Sequence, residues 1–171
     1  LQKVGAVNLT DKYFDEEYFD GGKGYHCYND DPRFQVYADY IVKTYSPKSV
    51  LDFGCAKGYL VKALRDRGVE AYGYDVSKWA IAQADDNIKK FLTSSKLRFV
   101  DLIVSIDTLE HIPVDQVPRI IQDIKTKSKR QYLVVGTVNT PNWEHDASHV
   151  TIKKLSYWQN ILPGADWVES V

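Results

Sequence analysis

The chain has 171 residues, 44% hydrophobic and 26% charged, with a formal net charge of −1. That length builds one domain with a real core and excludes two full ones, and the near-neutral balance disfavours nucleic acid, whose partners carry a basic surplus. No apolar run approaches the roughly 18 residues of a membrane span, and the opening LQKVGAVNLTDKYF has no apolar signal core.

Residues 11–31 (DKYFDEEYFDGGKGYHCYNDD) are acidic, aromatic and glycine-rich, and are predicted as part of an N-terminal arm, 1–32, with little regular structure. A single domain over 33–171 follows. RFQVYADYIVKTY (33–45) places Phe34, Tyr37, Ile41 and Tyr45 at helical spacing and is stopped by Pro47. SVLDFG (49–54) is a short apolar strand of the kind buried on both faces of a parallel sheet. KGYLVKALRDRG (57–68) is a helix with Leu60, Val61 and Leu64 on one face and Gly68 as its cap. VEAYGYDV (69–76) is a second strand, and SKWAIAQADDNIKKFL (77–92) is a helix N-capped by Ser77.

DLIVSI (101–106) is a third strand. PVDQVPRIIQDIKTK (113–127) is helical, with Pro118 leaving open whether its regular part begins only there. Lys125, Lys127, Lys129 and Arg130 read as its solvated end. QYLVVGTV (131–138) is a further strand, TIKKLSYWQNIL (151–162) a helix, and ADWVESV (165–171) a last strand. Trp158 and Trp167 are assigned to the core. Strands alternating with helices at these lengths predict an α/β fold with a largely parallel sheet. Cys27 and Cys55 form neither a metal spacing nor a disulfide framework, so a reducing, cytoplasmic location is expected.

VLDFGCAKGYL (50–60) ends an apolar run in Asp52, Gly54 and Gly58. In open α/β sheets ligands bind beyond the carboxyl ends of the strands, and the loop after the first strand is the default seat. Glycines there let backbone approach a ligand, and the loop leads into a helix whose free N–H groups favour an anion. Asp75 follows Gly54 by 21 residues, which suits an acid that accepts hydrogen bonds from ribose hydroxyls. A nucleoside-containing cofactor follows. The dinucleotide fingerprint requires glycine at the first and third places and glycine or alanine at the sixth; here those are Gly54, Ala56 and Tyr59, a poor match. A buried acid beside the turn repels pyrophosphate and draws an ammonium group. S-adenosylmethionine suits both features, with its cationic amino-acid tail near Asp52 and its ribose near Asp75.

LDFGCAKG, AYGYDVS and DLIVSIDTLEHIP, in that order, resemble the first, second and fourth motifs of class I S-adenosylmethionine-dependent methyltransferases. TVNTPNWEHDASHVTIKKLSYWQNIL resembles the TPN…D-x-x-H-V segment of methyltransferases from polysaccharide and natural-product pathways. The resemblance covers about residues 33–171. It implies a Rossmann-like three-layer sandwich with a mostly parallel sheet, shortened after the second strand. It implies that Gly54, Cys55, Ala56 and Gly58 wrap the methionine part of the cofactor. Asp75 would then take the ribose, Val76 would lie beside the adenine, and Ser105 and Ile106 would line the sulfonium region. The arm's tyrosines would close over the cofactor. Two positions depart from the pattern. Ala56 stands where glycine is common, and only 26 positions separate Asp75 from Asp101, leaving TSSKLRFV where a strand usually lies. That strand is vestigial or lost, or a loop is missing. No adenine N6 partner is assigned.

Methyl transfer is an in-line displacement at sulfonium, in which alignment supplies much of the acceleration and a general base helps a hydroxyl acceptor. His111, His149 and Asp107 are the candidates. His111 either acts as base or, with Glu110, fixes the turn into the next helix. His149 either faces the acceptor, oriented by Asp146, or anchors its loop. Asp107 either contacts the acceptor or caps a turn. His145 and His26 are read as exposed, Cys55 as a packing residue, and Trp143 as a stacking platform. Glu110, His111, His145 and His149 also suggest a metal cluster of the kind found in RNA 3′-end methyltransferases. Adjacent residues such as Glu110 and His111 rarely point at one ion, so no metal is assigned. The expected reaction moves the methyl group of S-adenosylmethionine to an oxygen, or alternatively a nitrogen, of a small-molecule or saccharide acceptor. Nucleic acid and membrane are not expected as partners, and homo-oligomerisation is left open. The alternatives are a non-catalytic methyltransferase-like subunit and an enzyme acting on RNA or protein.

Overall fold

The apolar runs become the strands of one sheet. A computed structural model describes residues 11–140 and 145–166. Its strands are β1 (Ser49–Phe53), β2 (Glu70–Tyr74), β3 (Leu92–Thr93), β4 (Leu102–Ile106) and β5 (Gln131–Val134), in the order β3-β2-β1-β4-β5. Every neighbouring pair is parallel. The direction of winding reverses between β1 and β4, so the ligand crevice of such a sheet opens at their carboxyl ends.

The helices are α1 (Glu16–Phe19), α2 (Arg33–Tyr45), α3 (Tyr59–Asp66), α4 (Lys78–Ala82), α5 (Asp86–Lys89), α6 (Val117–Lys127) and α7 (Leu155–Ile161). They cover both faces of the sheet. Val50 of β1 packs with Ile41 of α2 and Leu64 of α3 on one side. Leu51 and Phe53 pack with Ile121 of α6 and Trp158 of α7 on the other. Alternation of side chains along a strand buries both sets, which is why these strands are apolar throughout. Gly68 ends α3 at φ +80°, its N–H bonded to the Arg65 carbonyl and that of Val69 to Leu64, a Schellman motif.

Several predicted elements are corrected. The helix expected over 77–92 breaks into α4 and α5. Ser77 caps the first by accepting the Ala80 N–H, and Asp85 caps the second by accepting the Asn87 N–H. A second capping acid inside the run supplies a new helix start. The chain then turns early enough for Leu92 and Thr93 to pair with Gly73 and Tyr74. The shortened strand is therefore vestigial, not lost. The helix expected over 113–127 begins at Val117, with Pro118 in its first turn. The strand expected over 131–138 stops at Val134, and Gly136 gives its N–H to Glu110. Thr137 instead bridges Lys153, so the helix expected from 151 begins at Leu155. Most of the strand expected over 165–171, including Trp167, lies outside the described residues, as does Trp143.

The arm is more ordered than expected. Asp15 caps α1, and Tyr18 and Phe19 are buried against Ala56 and Ala80. Among the described residues no helix is long and apolar enough to cross a membrane.

Candidate active site

The loop after β1 is shaped by close approach. Gly54 has φ +89°, and a Cβ there would lie 2.2 Å from Thr108 Oγ1, so only glycine fits. Ala56 also adopts positive φ, +46°. The N–H groups of Gly54 and Cys55 donate to the Tyr74 carbonyl at 2.8 and 3.1 Å, and that of Gly58 donates to the Cys55 carbonyl at 2.8 Å. The Ala56 N–H donates to Asp75 Oδ2 at 2.7 Å. Four donors of this loop are thus engaged internally. The N–H groups of the first turn of α3, on which the expected anion seat rests, are not among these four.

The crevice beyond β1 and β4 holds a cavity of about 250 Å³. Asp52, 4% exposed, lines it. Burial, reinforced by the charge of Asp75, pushes the Asp52 pKa up to about 8. Asp75 is also buried and lines the cavity. Its two oxygens accept the N–H groups of Ala56 and Ser77, each at 2.7 Å, which offsets part of the upward pull of burial on its pKa. Each oxygen retains a further lone pair.

Gly54, Cys55 and Ala56 border the same space, as do Val76, Ile106 and Asp107. Gly58 does not. It is the N-cap of α3, against Ile88 and Leu92. Ser105 does not either: on β4 it is fully buried with its hydroxyl unpartnered, because alternation turns it from the side where Ile106 meets the cavity. Cys55 is buried with a raised pKa from desolvation, as a packing residue should be.

Asp107 follows β4 at φ +49° and faces Arg33 at 3.7 Å. Burial raises its pKa, opposed by Arg33 and His149. Among the described residues lining the cavity, Arg33 alone carries a permanent positive charge, and its Nε is buried without a partner. Sequence reasoning missed it, since one arginine at a helix start carries no signal of its own.

His111 lines the cavity, with its Nδ1 2.8 Å from Ser148 Oγ. Burial and the neighbouring His149 lower its pKa, which keeps the ring neutral near pH 7. His149 is not a lining residue. Its ring centroid lies 4.7 Å from that of His111, and its Nε2 is 3.9 Å from Asp146. His145 and His26 are exposed.

Glu110 is 2% exposed. Its Oε1 accepts the Gly136 N–H at 3.0 Å, and its carbonyl accepts the Thr151 N–H at 2.9 Å. These bonds tie the turn after β4 to the segment after β5. Its Oε2 has no partner, and burial, with Asp107 nearby, pushes its pKa up to about 7. Ligand atoms of Glu110, His111 and His149 all lie within 4.8 Å of one another. The expectation that adjacent Glu110 and His111 diverge is therefore corrected. They sit in the single turn of 3₁₀ helix Leu109–His111, where His149 meets both.

The arm closes the crevice. Lys57 Nζ bonds both oxygens of Asp20, at 2.9 and 2.8 Å, and the Tyr28 carbonyl at 3.0 Å. Ser77 Oγ donates to the Phe14 carbonyl at 2.5 Å. Phe14, Tyr18 and Tyr28 thereby line the cavity as its roof.

A family model described as a methyltransferase domain matches residues 32–165. A ubiquinone biosynthesis O-methyltransferase of Nitrosomonas europaea is 28% identical over a 90-residue alignment that covers 45% of this chain and 38% of that protein. A SAM-dependent methyltransferase from Archaeoglobus fulgidus superimposes with a TM-score of 0.63 at 18% identity, covering 86% of this chain and 70% of that one. The plantazolicin methyltransferase in complex with SAH gives 0.56 at 19% identity, covering 75% and 60%. The chain thus spans well under half the length of the curated relative and less than two thirds of the plantazolicin enzyme.

Proposed function

The chain belongs to the methyltransferase domain family, and on that premise we propose that it moves a methyl group from S-adenosylmethionine to an oxygen, or alternatively a nitrogen, of a small molecule or saccharide. One observation carries this reading. Two buried carboxylates, Asp52 and Asp75, line the crevice while the glycine loop spends four of its N–H groups on internal acceptors. A pyrophosphate needs free donors and finds acids. A sulfonium nucleoside with an ammonium-bearing tail finds what it needs.

In this reading Asp52 holds the ammonium end, the free lone pairs of Asp75 hold the ribose hydroxyls, and Val76 lies against the adenine. Ile106 borders the sulfonium. Arg33, its Nε unpartnered, holds the carboxylate end of the tail. The donor's own chemistry is transfer of a methyl cation equivalent to a nucleophile. The chain aligns the acceptor, excludes water with the aromatic roof, and takes the acceptor's proton at His111, with Asp107 beside it. His149 supports His111. Two free cysteines, one of them exposed, support a reducing compartment such as the cytoplasm.

Calorimetric titration with S-adenosylhomocysteine and NAD tests the donor site. Binding of the first but not the second is expected, and the reverse overturns the reading. Transfer of label from methyl-labelled S-adenosylmethionine to a panel of phenols, sugars and amines then tests turnover. Cofactor binding without transfer favours a regulatory subunit, and labelling of RNA or protein favours those acceptors.

The convergence of Glu110, His111 and His149, with Glu110 Oε2 unpartnered, favours a second reading. A divalent cation held by this nitrogen–oxygen set would polarise the acceptor oxygen. Dialysis against a chelator separates the two. Transfer that survives supports the metal-free reaction, and loss restored by manganese or zinc supports the second.

A further inference from the structure

A histidine can serve as a base only through a nitrogen that lacks a proton, and the isolated neutral ring favours neither of its nitrogens strongly. What the other nitrogen bonds to sets the choice. The surroundings of His111 make that choice by counting protons.

Ser148 Oγ has one proton and three neighbours: Asp146 Oδ1 at 2.6 Å, His111 Nδ1 at 2.8 Å and Tyr18 Oη at 3.3 Å. Asp146 is an acceptor only, its pKa held down by the Ser148 hydroxyl and N–H against the pull of burial. The 2.6 Å contact is the shortest of the three and has the length of a charge-assisted bond. The Ser148 proton therefore goes to Asp146. Tyr18 donates its own proton to the other carboxylate oxygen, Oδ2, at 3.0 Å. Having no second proton, Ser148 Oγ faces His111 with lone pairs, and the short contact is a bond only if Nδ1 carries the hydrogen.

We propose that Asp146 and Ser148 are positioning residues that hold His111 in its Nδ1-protonated tautomer, with Nε2 left as the basic nitrogen, and that Tyr18 of the arm locks this relay. The proposal rests on the methyl-transfer reading and gives its base an orienting group. The two ring nitrogens diverge, so Nδ1 turned to Ser148 leaves Nε2 on the other edge of the ring. The relay also joins three separate segments: the arm, the turn after β4 and the loop after β5. Closure of the arm and readiness of the base are one event, because Tyr18 is both roof of the cavity and donor to Asp146.

The Asp107 and Ser148 carbonyls also approach the ring and favour an N–H there. If the Asp107 carbonyl takes Nε2–H, the tautomer is reversed. Long-range proton–nitrogen NMR correlation on the full chain, labelled with ¹⁵N-histidine and dialysed against chelator, tells the two apart near pH 7. A protonated-type Nδ1 and an unprotonated-type Nε2 for His111 are expected, and the reverse pattern overturns the proposal. In Ser148→Ala the Nε2–H form should gain population, while Ser148→Thr should restore the wild-type pattern. An unchanged spectrum in Ser148→Ala overturns the proposal. With an acceptor in hand, Ser148→Ala should lower kcat by about tenfold or more, with S-adenosylhomocysteine affinity and acceptor KM unchanged. An unaltered kcat also overturns it. The NMR measurement needs no turnover, so a failed relay and a failed methyl-transfer reading give different results.

Discussion

The Ala56 N–H donates to the Asp75 carboxylate at 2.7 Å, and this bond fixes the glycine loop after β1 to the tip of β2. In the proposed site Asp75 has two tasks: it shapes the loop from within and offers its remaining lone pairs to the ribose. Asp75→Ala removes both. Hydrogen bonds to a charged group contribute about 1.5–3 kcal/mol each, so affinity for S-adenosylhomocysteine should fall by about 100-fold or more. Calorimetry checks this, and an affinity unchanged within experimental scatter would refute the assignment.

Positive φ has different consequences at Gly54 and Ala56. At Gly54 any Cβ meets Thr108 as well as the backbone strain, so Gly54→Ala should cost roughly 2 kcal/mol or more. At Ala56 the relief of about 1–2 kcal/mol from left-handed strain is offset by a lost buried methyl of about 0.8 kcal/mol and by glycine's greater unfolded freedom, about 0.4–1 kcal/mol. Ala56→Gly should accordingly be near neutral. Urea unfolding of the two variants tests the contrast.

With Asp52 holding the ammonium group as proposed, ligand binding should depend on pH. Burial and the charge of Asp75 push its pKa up to about 8, whereas a cationic tail requires the ionised form. Binding below that pH releases a proton, so affinity should rise with pH and level off above about 8. Titrations in buffers of different ionisation enthalpy measure the release directly. The same shift bears on folding. The folded pKa lies above the unfolded one, so the burden of the buried acid is absent below about pH 4 and grows as pH rises toward 8. Asp52→Asn should stabilise the ligand-free protein near pH 7.5 by roughly 1–3 kcal/mol while weakening S-adenosylhomocysteine.

Arg33 and Asp52 are assigned to opposite ends of one amino-acid tail. A ligand without that tail, 5′-methylthioadenosine, should not sense either. Arg33→Gln should weaken S-adenosylhomocysteine by about tenfold or more and leave 5′-methylthioadenosine unaltered. Equal losses for both ligands would place Arg33 elsewhere.

The Lys57–Asp20 pair latches the arm. The Lys57 side chain is only 9% exposed, so Asp20→Asn strands a nearly buried ammonium group. Hydrogen exchange across residues 11–31 should accelerate in this variant, and S-adenosylhomocysteine should dissociate faster. Protection unchanged across the arm would show that the latch is dispensable.

The sequence by itself determined the sheet and marked the carboxylates, Asp52 and Asp75, that meet in the crevice. Both rest on short-range rules: apolar runs buried on two faces, glycine where φ is positive, and an acid at a fixed spacing at the tip of the next strand. The resemblance of DLIVSIDTLEHIP to the fourth methyltransferase motif marked His111 and Asp107. The short-range rules could not find the break at Asp85, because a capping acid inside a helical pattern competes with its periodicity on nearly equal terms. Nor could they assign Ser105 correctly, since which side of β4 faces the crevice depends on packing across the sheet. Only the tertiary structure brought Arg33 to the cavity, turned Glu110 and His149 toward His111, and joined Tyr18 to Asp146 across 128 positions and His111 to Ser148 across 37. Such contacts are decided by strand order and by where loops from separate crossovers meet, and neither leaves a local periodic trace in the chain.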